Sequence, residues 1–362
     1  MFGKKKDSAA QVDSTQESNE NAISNKETEG LSQGQIVRRR FFRHRGAMIA
    51  LFTILSIVIF TYSASGLHLG NEKNPITIPG WWHYSITDMP ELRYGDDCPD
   101  GSTGCPTLQL NPFAPNFGLG DHPFGQDDIG RDYFALVMRG AEQSIMVMLI
   151  IGILGGVIGT VVGAVAGYFR GRIDGFLMRV VDLFTTIPVI LIGAVIGFKV
   201  GNLGVVVLAV FLGLFGWIGL ARLVRGEFLS LREREFVDAA RVAGASHARI
   251  IFKHILPNAV GIIIVSVTLS MSGAILLETG LSYLGFGVVS PDVSLGSLIS
   301  QYQDSFATRP WLFWWPGLFI ISIALCINFI GDGLRDAFDP RQRRRITKKD
   351  RSQAQTAEKV SA

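Results

Sequence analysis

Six stretches of this chain are apolar, almost free of charge and long enough to cross a lipid bilayer. They are Gly46–Leu67, Ser144–Phe169, Leu183–Phe198, Gly201–Ala221, Ala259–Leu277 and Pro310–Gly331. About 20 apolar helical residues span a bilayer core. The third run reaches that length when Val180 and Val181 join it and Asp182 lies near the interface. The sequence therefore predicts an all-α integral membrane protein of six transmembrane helices. Composition agrees: 48% of residues are hydrophobic, 18% are charged and 41 are glycine, and small residues let helices approach closely in lipid. Gly46–Leu67 lies too deep in the chain, and is too long, for an ordinary cleaved signal peptide. It is read as a first span and uncleaved anchor.

Cytoplasmic loops carry an excess of Lys and Arg. Arg38, Arg39, Arg40, Arg43 and Arg45 precede the first span, and Arg170, Arg172 and Arg179 lie between the second and third. Seven basic residues lie between Arg222 and Lys253, and a basic tail from Arg335 to Arg351 follows the sixth span. Alternating spans put all four groups on one side. The other side holds Lys73, Arg93, Arg131 and Arg139 in one long loop, then Lys199 and Arg309. Both termini are thus expected in the cytoplasm, an asymmetry that the net charge of +3 conceals. The basic clusters read as topology signals and contacts with membrane lipid, not as nucleic-acid sites.

Residues 1–34 are polar and are expected to be a disordered cytoplasmic tail. An N-terminal region with the first span follows at 35–67, then an external loop at 68–143, a core of five helices at 144–338, and a basic cytoplasmic tail at 339–362. The external loop is unusually long and contains Trp81-Trp82 and an acidic stretch, Asp96-Asp97 to Asp100. Two readings stay open for it: a small external subdomain that meets a partner, or a mobile spacer. Cys98 and Cys105 bracket a Gly-rich turn on the oxidising side, where a disulfide is expected. No His or third Cys lies close enough in sequence to suggest a metal pair. Cys326 reads as a small core residue within a span.

Between the fourth and fifth spans lies a polar segment, Glu235 to Asn258. It reads as two short helices around a turn. Phe236, Ala239, Ala240 and Ala243 fall at helical spacing and predict a shallow apolar stripe, with Arg234, Asp238 and Arg241 on another face. Gly244 suits a helix C-terminus and Ser246 can cap the next helix. Ile250, Ile251 and Ile255 give that helix an apolar side, and Pro257 is expected to end it. From the residues alone, an ordinary packed loop and a docking surface are equally open.

The order of residues is more specific. Asp238-Ala239-Ala240, then Gly244, then Leu256-Pro257 resembles the EAA loop of binding-protein-dependent ABC importers. Asp238 stands where the general pattern has Glu, and His254 where it has Ile. Both departures, with Arg241, Gly244-Ala245-Ser246 and His254 to Asn258, are similar to the peptide-permease branch. The resemblance implies that 227–258 is a coupling loop seated on an ATPase subunit, with Glu235, Asp238, Ala239, Ala240, Arg241, Gly244, Ala245, Ser246, His254, Leu256 and Pro257 at the contact.

Other motifs follow in the same order. His122 to Asp132 resembles the branch's signature before the core domain, with Gln126 in place of Thr; it reads as a turn and helix start. Asp127, Asp128 and Asp132 do not have the spacing of an EF-hand. Gly167 to Asp174 and Ile187-Pro188 resemble the family's cytoplasmic turn and third span, where Pro188 should kink the helix. Leu277 to Gly287 matches the stretch after the fifth span. Asn328 to Arg341 matches the ending of the sixth, where Asp332, Arg335 and Asp336 are spaced for mutual pairing.

The resemblance implies the type I transmembrane-domain fold of ABC importers in the bacterial cytoplasmic membrane, and translocation of dipeptides or oligopeptides. It implies a second homologous permease, two ATPase subunits that hold ATP and Mg, and an external substrate-binding protein. The chain has no P-loop to hold ATP phosphates, no zinc-protease signature and no nucleophile elbow, so no catalytic residue, cofactor or metal is expected in it. Two rival readings are a secondary transporter or channel using Glu278 or Asn328 in an ion path, and an importer of the same family for nickel chelates or glutathione.

Overall fold

A computed structural model describes residues 33–69, 76–94, 98, 101–109 and 119–338. The tail at 1–32, the acidic residues Asp96, Asp97 and Asp100, and the basic tail from 339 lie outside them. Helix α1 (Gln33–Arg43) leads into the first span, α2 (Arg45–Ser65), whose first turn is capped by His44. A short antiparallel ribbon, β1 (Gly66–Leu69) with β2 (Ile76–Pro79), follows. The remaining helices are α3 (Tyr133–Phe169), α4 (Gly171–Thr185), α5 (Val189–Val200), α6 (Val205–Gly213), α7 (Ile218–Leu231), α8 (Glu235–Val242), α9 (His247–Tyr283), α10 (Leu295–Tyr302) and α11 (Trp311–Phe338). Among the described residues five helical segments are long and apolar enough to cross a membrane, and α4 with α5, bent by 77°, makes a sixth.

The bend follows from the sequence. Pro188 has no N–H to donate, so the helix stops at Thr185 and restarts at Val189. Thr185 and Thr186 return their hydroxyls to the carbonyls of Val181 and Leu183, each at 2.7 Å. Two of the carbonyls around the break therefore have partners within the protein, which lipid demands.

Helix α3 is longer than its apolar run predicts. Arg139 and Glu142 ended that run in the sequence, yet the helix begins at Tyr133, within the stretch 68–143 expected to be a loop. The two charges satisfy each other at 2.9 Å, and Ser65 Oγ donates to Glu142 at 3.0 Å. At 37 residues α3 is about 55 Å long, more than the ~30 Å of hydrocarbon, and its first turns stand outside the apolar layer.

The seam between α3 and α7 is made by glycine on the α3 side. Gly155, Gly159, Gly163 and Gly167 recur every four residues on one face of α3. A Cβ at Gly159 would lie 2.9 Å from Trp217 O, at Gly163 2.5 Å from Ala221 O, and at Gly167 2.7 Å from Arg225 O. Only hydrogen fits on the α3 side, so the backbone of α7 and the Cβ atoms of Leu220, Val224 and Phe228 lie directly against it,. Gly152 and Gly156 leave room for the side chains of Met271 and Val267 of α9. Helix α3 is thus the central post against which α7 and α9 stand. Gly163→Val is expected to overpack this seam at a cost of about 1–3 kcal/mol, read as a lower melting temperature of the detergent-purified protein. Gly175→Val, where no atom lies within 4 Å, is the control expected to melt as wild type.

Candidate coupling surface

Helix α8 sits at the end of the bundle where α3, α7 and α9 converge. Val237 is fully buried and Ala240 is 8% exposed; they pack on Ile250, Ile251 and Ile255 of α9, with Tyr168 of α3 and Val224 and Phe228 of α7 in the same cluster. Polar links bind the floor. Tyr168 shares a hydrogen bond of 2.7 Å with His247 Nδ1, Arg232 donates to the Tyr168 carbonyl and lies over its ring, and Arg225 grips Asp174 with bonds of 2.5 and 2.7 Å. Arg170 pairs with Glu233 at 2.8 Å.

The helix is closed by a Schellman arrangement. Gly244 has φ +76°, its N–H reaches Arg241 O at 2.9 Å, and Ala245 N–H reaches Ala240 O at 3.0 Å. Only glycine enters that backbone region without strain. Ser246 Oγ then accepts from Arg249 N–H and starts α9.

Two expectations are corrected here. The stripe of Phe236, Ala239, Ala240 and Ala243 is not uniform: Ala240 at its edge turns into the floor with Val237, while Phe236, Ala239 and Ala243 stay exposed. Nor does Pro257 end its helix. Residues Ile250–Ile255 form a π-helical stretch, Leu256 N–H bonds to Ile251 O, and the helix continues through Pro257 as α9. The wider turn just before the proline makes room for a residue that cannot donate. Leu256 and His254 are half-buried, Pro257 is exposed, and Asn258 donates to His254 O at 2.7 Å.

What remains outward is an unpartnered face. Val242 is 90% exposed, flanked by Ala239, Ala243 and Phe236. Glu235, Asp238 and Arg241 rim it, the last two paired at 2.8 Å. An apolar centre inside a charged rim on a rigid base has the form of a protein contact site.

The opposite end carries an ordered cap. Asp132 caps α3 through Ala135 N–H at 2.9 Å and also binds His122 at 2.9 Å and Trp82 Nε1 at 2.7 Å. Asp127 accepts from Ile129 N–H, Arg131 N–H, Arg131 Nε and Tyr302 OH. Burial, with Asp127 beside it, holds the Tyr302 hydroxyl well above its ordinary pKa. Gln126 is buried and donates to the carbonyls of Glu91 and Gly130, while Arg93 N–H donates to its Oε1. Cys98 and Cys105 form a disulfide with Cα atoms 5.7 Å apart. The described part of this loop is a folded subdomain, and among the described residues no cluster of acids, His or Cys could hold a metal.

Glu278 does not line an open passage. It is fully buried and accepts from Ser144 and Ser282 at 3.1 and 2.7 Å. Asn328 is half-buried on α11, far along the chain from the coupling segment. At the end of α11, Asp336 approaches His44 Nε2 at 3.4 Å, so its contact is with the start of α2.

Residues 159–344, which contain the entire coupling segment, match the family described as binding-protein-dependent transport system inner membrane component. The chain belongs to that family. Residues 32–76 match a second model, the N-terminal transmembrane domain of oligopeptide transport permease C. The oligopeptide transport system permease protein OppC of Mycobacterium tuberculosis is 36% identical over 317 residues, covering 87% of this chain and 97% of that protein. The OppC of Escherichia coli K12 is 35% identical over 324 residues, 90% of this chain and 96% of the other. That of Bacillus subtilis is 39% identical over 224 residues, 62% and 73% of the two chains. This permease is therefore a multi-pass membrane protein with the type I importer fold, and its family works with an ATPase and a binding protein. Val237→Asp would bury an unpaired carboxylate in the floor of α8, and is expected to cost about 4 kcal/mol or more; Val242→Asp is expected to leave the melting temperature of the purified permease unchanged.

Proposed function

We propose that this permease is one half of the translocation pore of an ATP-driven peptide importer, and that α8 is the part on which the ATPase pushes. The observation that carries the reading is the exposed Val242 face on a floor shared by α3, α7 and α9. A displacement of α8 cannot be absorbed locally, because Val237 and Ala240 are held in a close-packed cluster. It therefore moves the three helices together. Peptides as cargo follow from the oligopeptide permeases that cover most of the chain.

In this reading both termini and α8 face the cytoplasm, as the Arg and Lys distribution requires. ATP and Mg bind to two separate ATPase subunits, not to this chain. A second, homologous permease packs beside it, and the strongly exposed apolar residues of α4 and α5, such as Leu183 and Phe198, offer surface for lipid or for that neighbour. A loaded binding protein docks on the external cap, ATP closes the ATPases, α8 moves inward with them, and the two permeases rock to release the peptide.

Reconstitution with the cognate ATPases and binding protein tests the assignment. Val242→Asp and Ala239→Arg are expected to abolish co-purification of the ATPase and to lower peptide uptake by roughly 30-fold or more, the effect of losing an interface hot spot of ~2 kcal/mol. Ala240 is unsuitable for this test, since a charge there disturbs the floor rather than the contact. Gradient-driven flux through the purified chain alone would refute the importer reading. Uptake of a nickel chelate or glutathione in place of peptides would refute the cargo only. Cysteines placed near residue 10 and near residue 355 are expected to react with membrane-impermeant maleimide only after the cells are opened.

A further inference from the structure

Glu278 is a carboxylate with no exposed surface, five residues before the outer end of α9. A buried carboxyl is costly unless its oxygens are filled by donors. Its donors come from more than one helix. Ser144 Oγ of α3 reaches one oxygen at 3.1 Å, and Ser282 Oγ of α9 reaches the other at 2.7 Å. Both serines also touch the start of α10. Leu295 N–H donates to Ser144 Oγ at 3.2 Å, and Ser294 Oγ, the cap of α10, lies 3.2 Å from Ser282 Oγ. Helix α10 rests directly on its neighbours: a Cβ at Gly296 would lie 2.6 Å from Thr279 Cα, and one at Gly140 3.2 Å from Leu295 N.

The far end of α10 is held as firmly, in the external cap. Tyr302 donates to Asp127 at 2.9 Å and accepts from Arg131 at 3.1 Å. Helix α10 is thus a short strut, about 12 Å long, clamped at one end to the cap and at the other to the Glu278 knot. From that knot α9 runs without a break to His247 in the floor of the coupling surface, about 45 Å away,. If α10 slid relative to α9 or α3, Ser144 and Ser282 would lose the Leu295 N–H and Ser294 contacts that hold their hydroxyls beside Glu278, and buried polar groups would be left unsatisfied, which is far more costly than a weakened surface contact. The knot therefore resists relative motion and passes it on.

We propose that Glu278 is a positioning residue that pins the outer end of α9 to the strut carrying the external cap, so that binding-protein docking on the cap reaches the coupling surface along α9. The inference rests on the importer reading above.

The test uses the assembled complex in lipid nanodiscs, with ATP hydrolysis measured with and without peptide-loaded binding protein. A wild-type complex that binding protein does not stimulate would overturn the importer reading itself. With stimulation present, Glu278→Leu is expected to keep basal hydrolysis close to wild type while stimulation falls about fivefold or more, and Glu278→Gln, which can still pair with both serines, is expected to retain most of it. Tyr302→Phe loosens the opposite end of the strut without touching a membrane span, and is expected to show the same loss. Stimulation equal to wild type in both Glu278→Leu and Tyr302→Phe would overturn the proposal. If Glu278→Leu fails to assemble, Tyr302→Phe and Ser144→Ala decide: reduced stimulation supports the knot, and unchanged stimulation sinks it.

Discussion

The closeness of α3 and α7 is the constraint from which the rest of the bundle follows. Where Gly159, Gly163 and Gly167 meet α7, α3 has no room for a side chain of its own. In lipid there is no hydrophobic force to draw helices together, so dispersion across such a seam holds them. Because α3 also accepts Met271 and Val267 of α9 at Gly152 and Gly156, three helices share one post. Their ends on the α8 side consequently arrive together, and the cluster of Phe228, Tyr168 and Ile255 under α8 is what that convergence makes.

Polar groups do different work at the two ends. At the α8 end, ion pairs such as Arg170 with Glu233 are half exposed and contribute little each,; apolar burial of Val237 and Ile250 holds the surface in place. At the opposite end, buried acids organise the fold. Asp132, Asp127 and Glu278 each gather donors from separate segments, and each would be expensive to leave unmet,. One end is a contact surface on a packed floor, and the other is a network that resists rearrangement.

Much of this was legible in the residues. Lipid imposes length and composition on its spans, so the six apolar runs stand out, and the bend at Pro188 follows from a missing N–H. Gly244 and Ser246 were readable as stop and cap because local backbone chemistry decides them. The start of α3 was not, since Arg139 and Glu142 look like the end of a span until Ser65 and each other satisfy them. The glycine ladder of α3 was written plainly at a spacing of four, yet which helix it meets is not. The packed side of α8 is not legible, because a helical wheel alone does not say which side has a floor, and Val237 meets it.

By itself, then, the sequence determined that the chain crosses a membrane and that a short polar helix interrupts its spans. Those are consequences of solvent, charge and local backbone preference, each of which acts over a few residues. Only the tertiary structure decided that Val242 faces out and Ala240 in, that α9 runs through Pro257, and that Glu278 is enclosed by serines rather than open to a path. Those depend on which segments, far apart in the chain, come to lie within a few ångströms of one another, and that is set by packing.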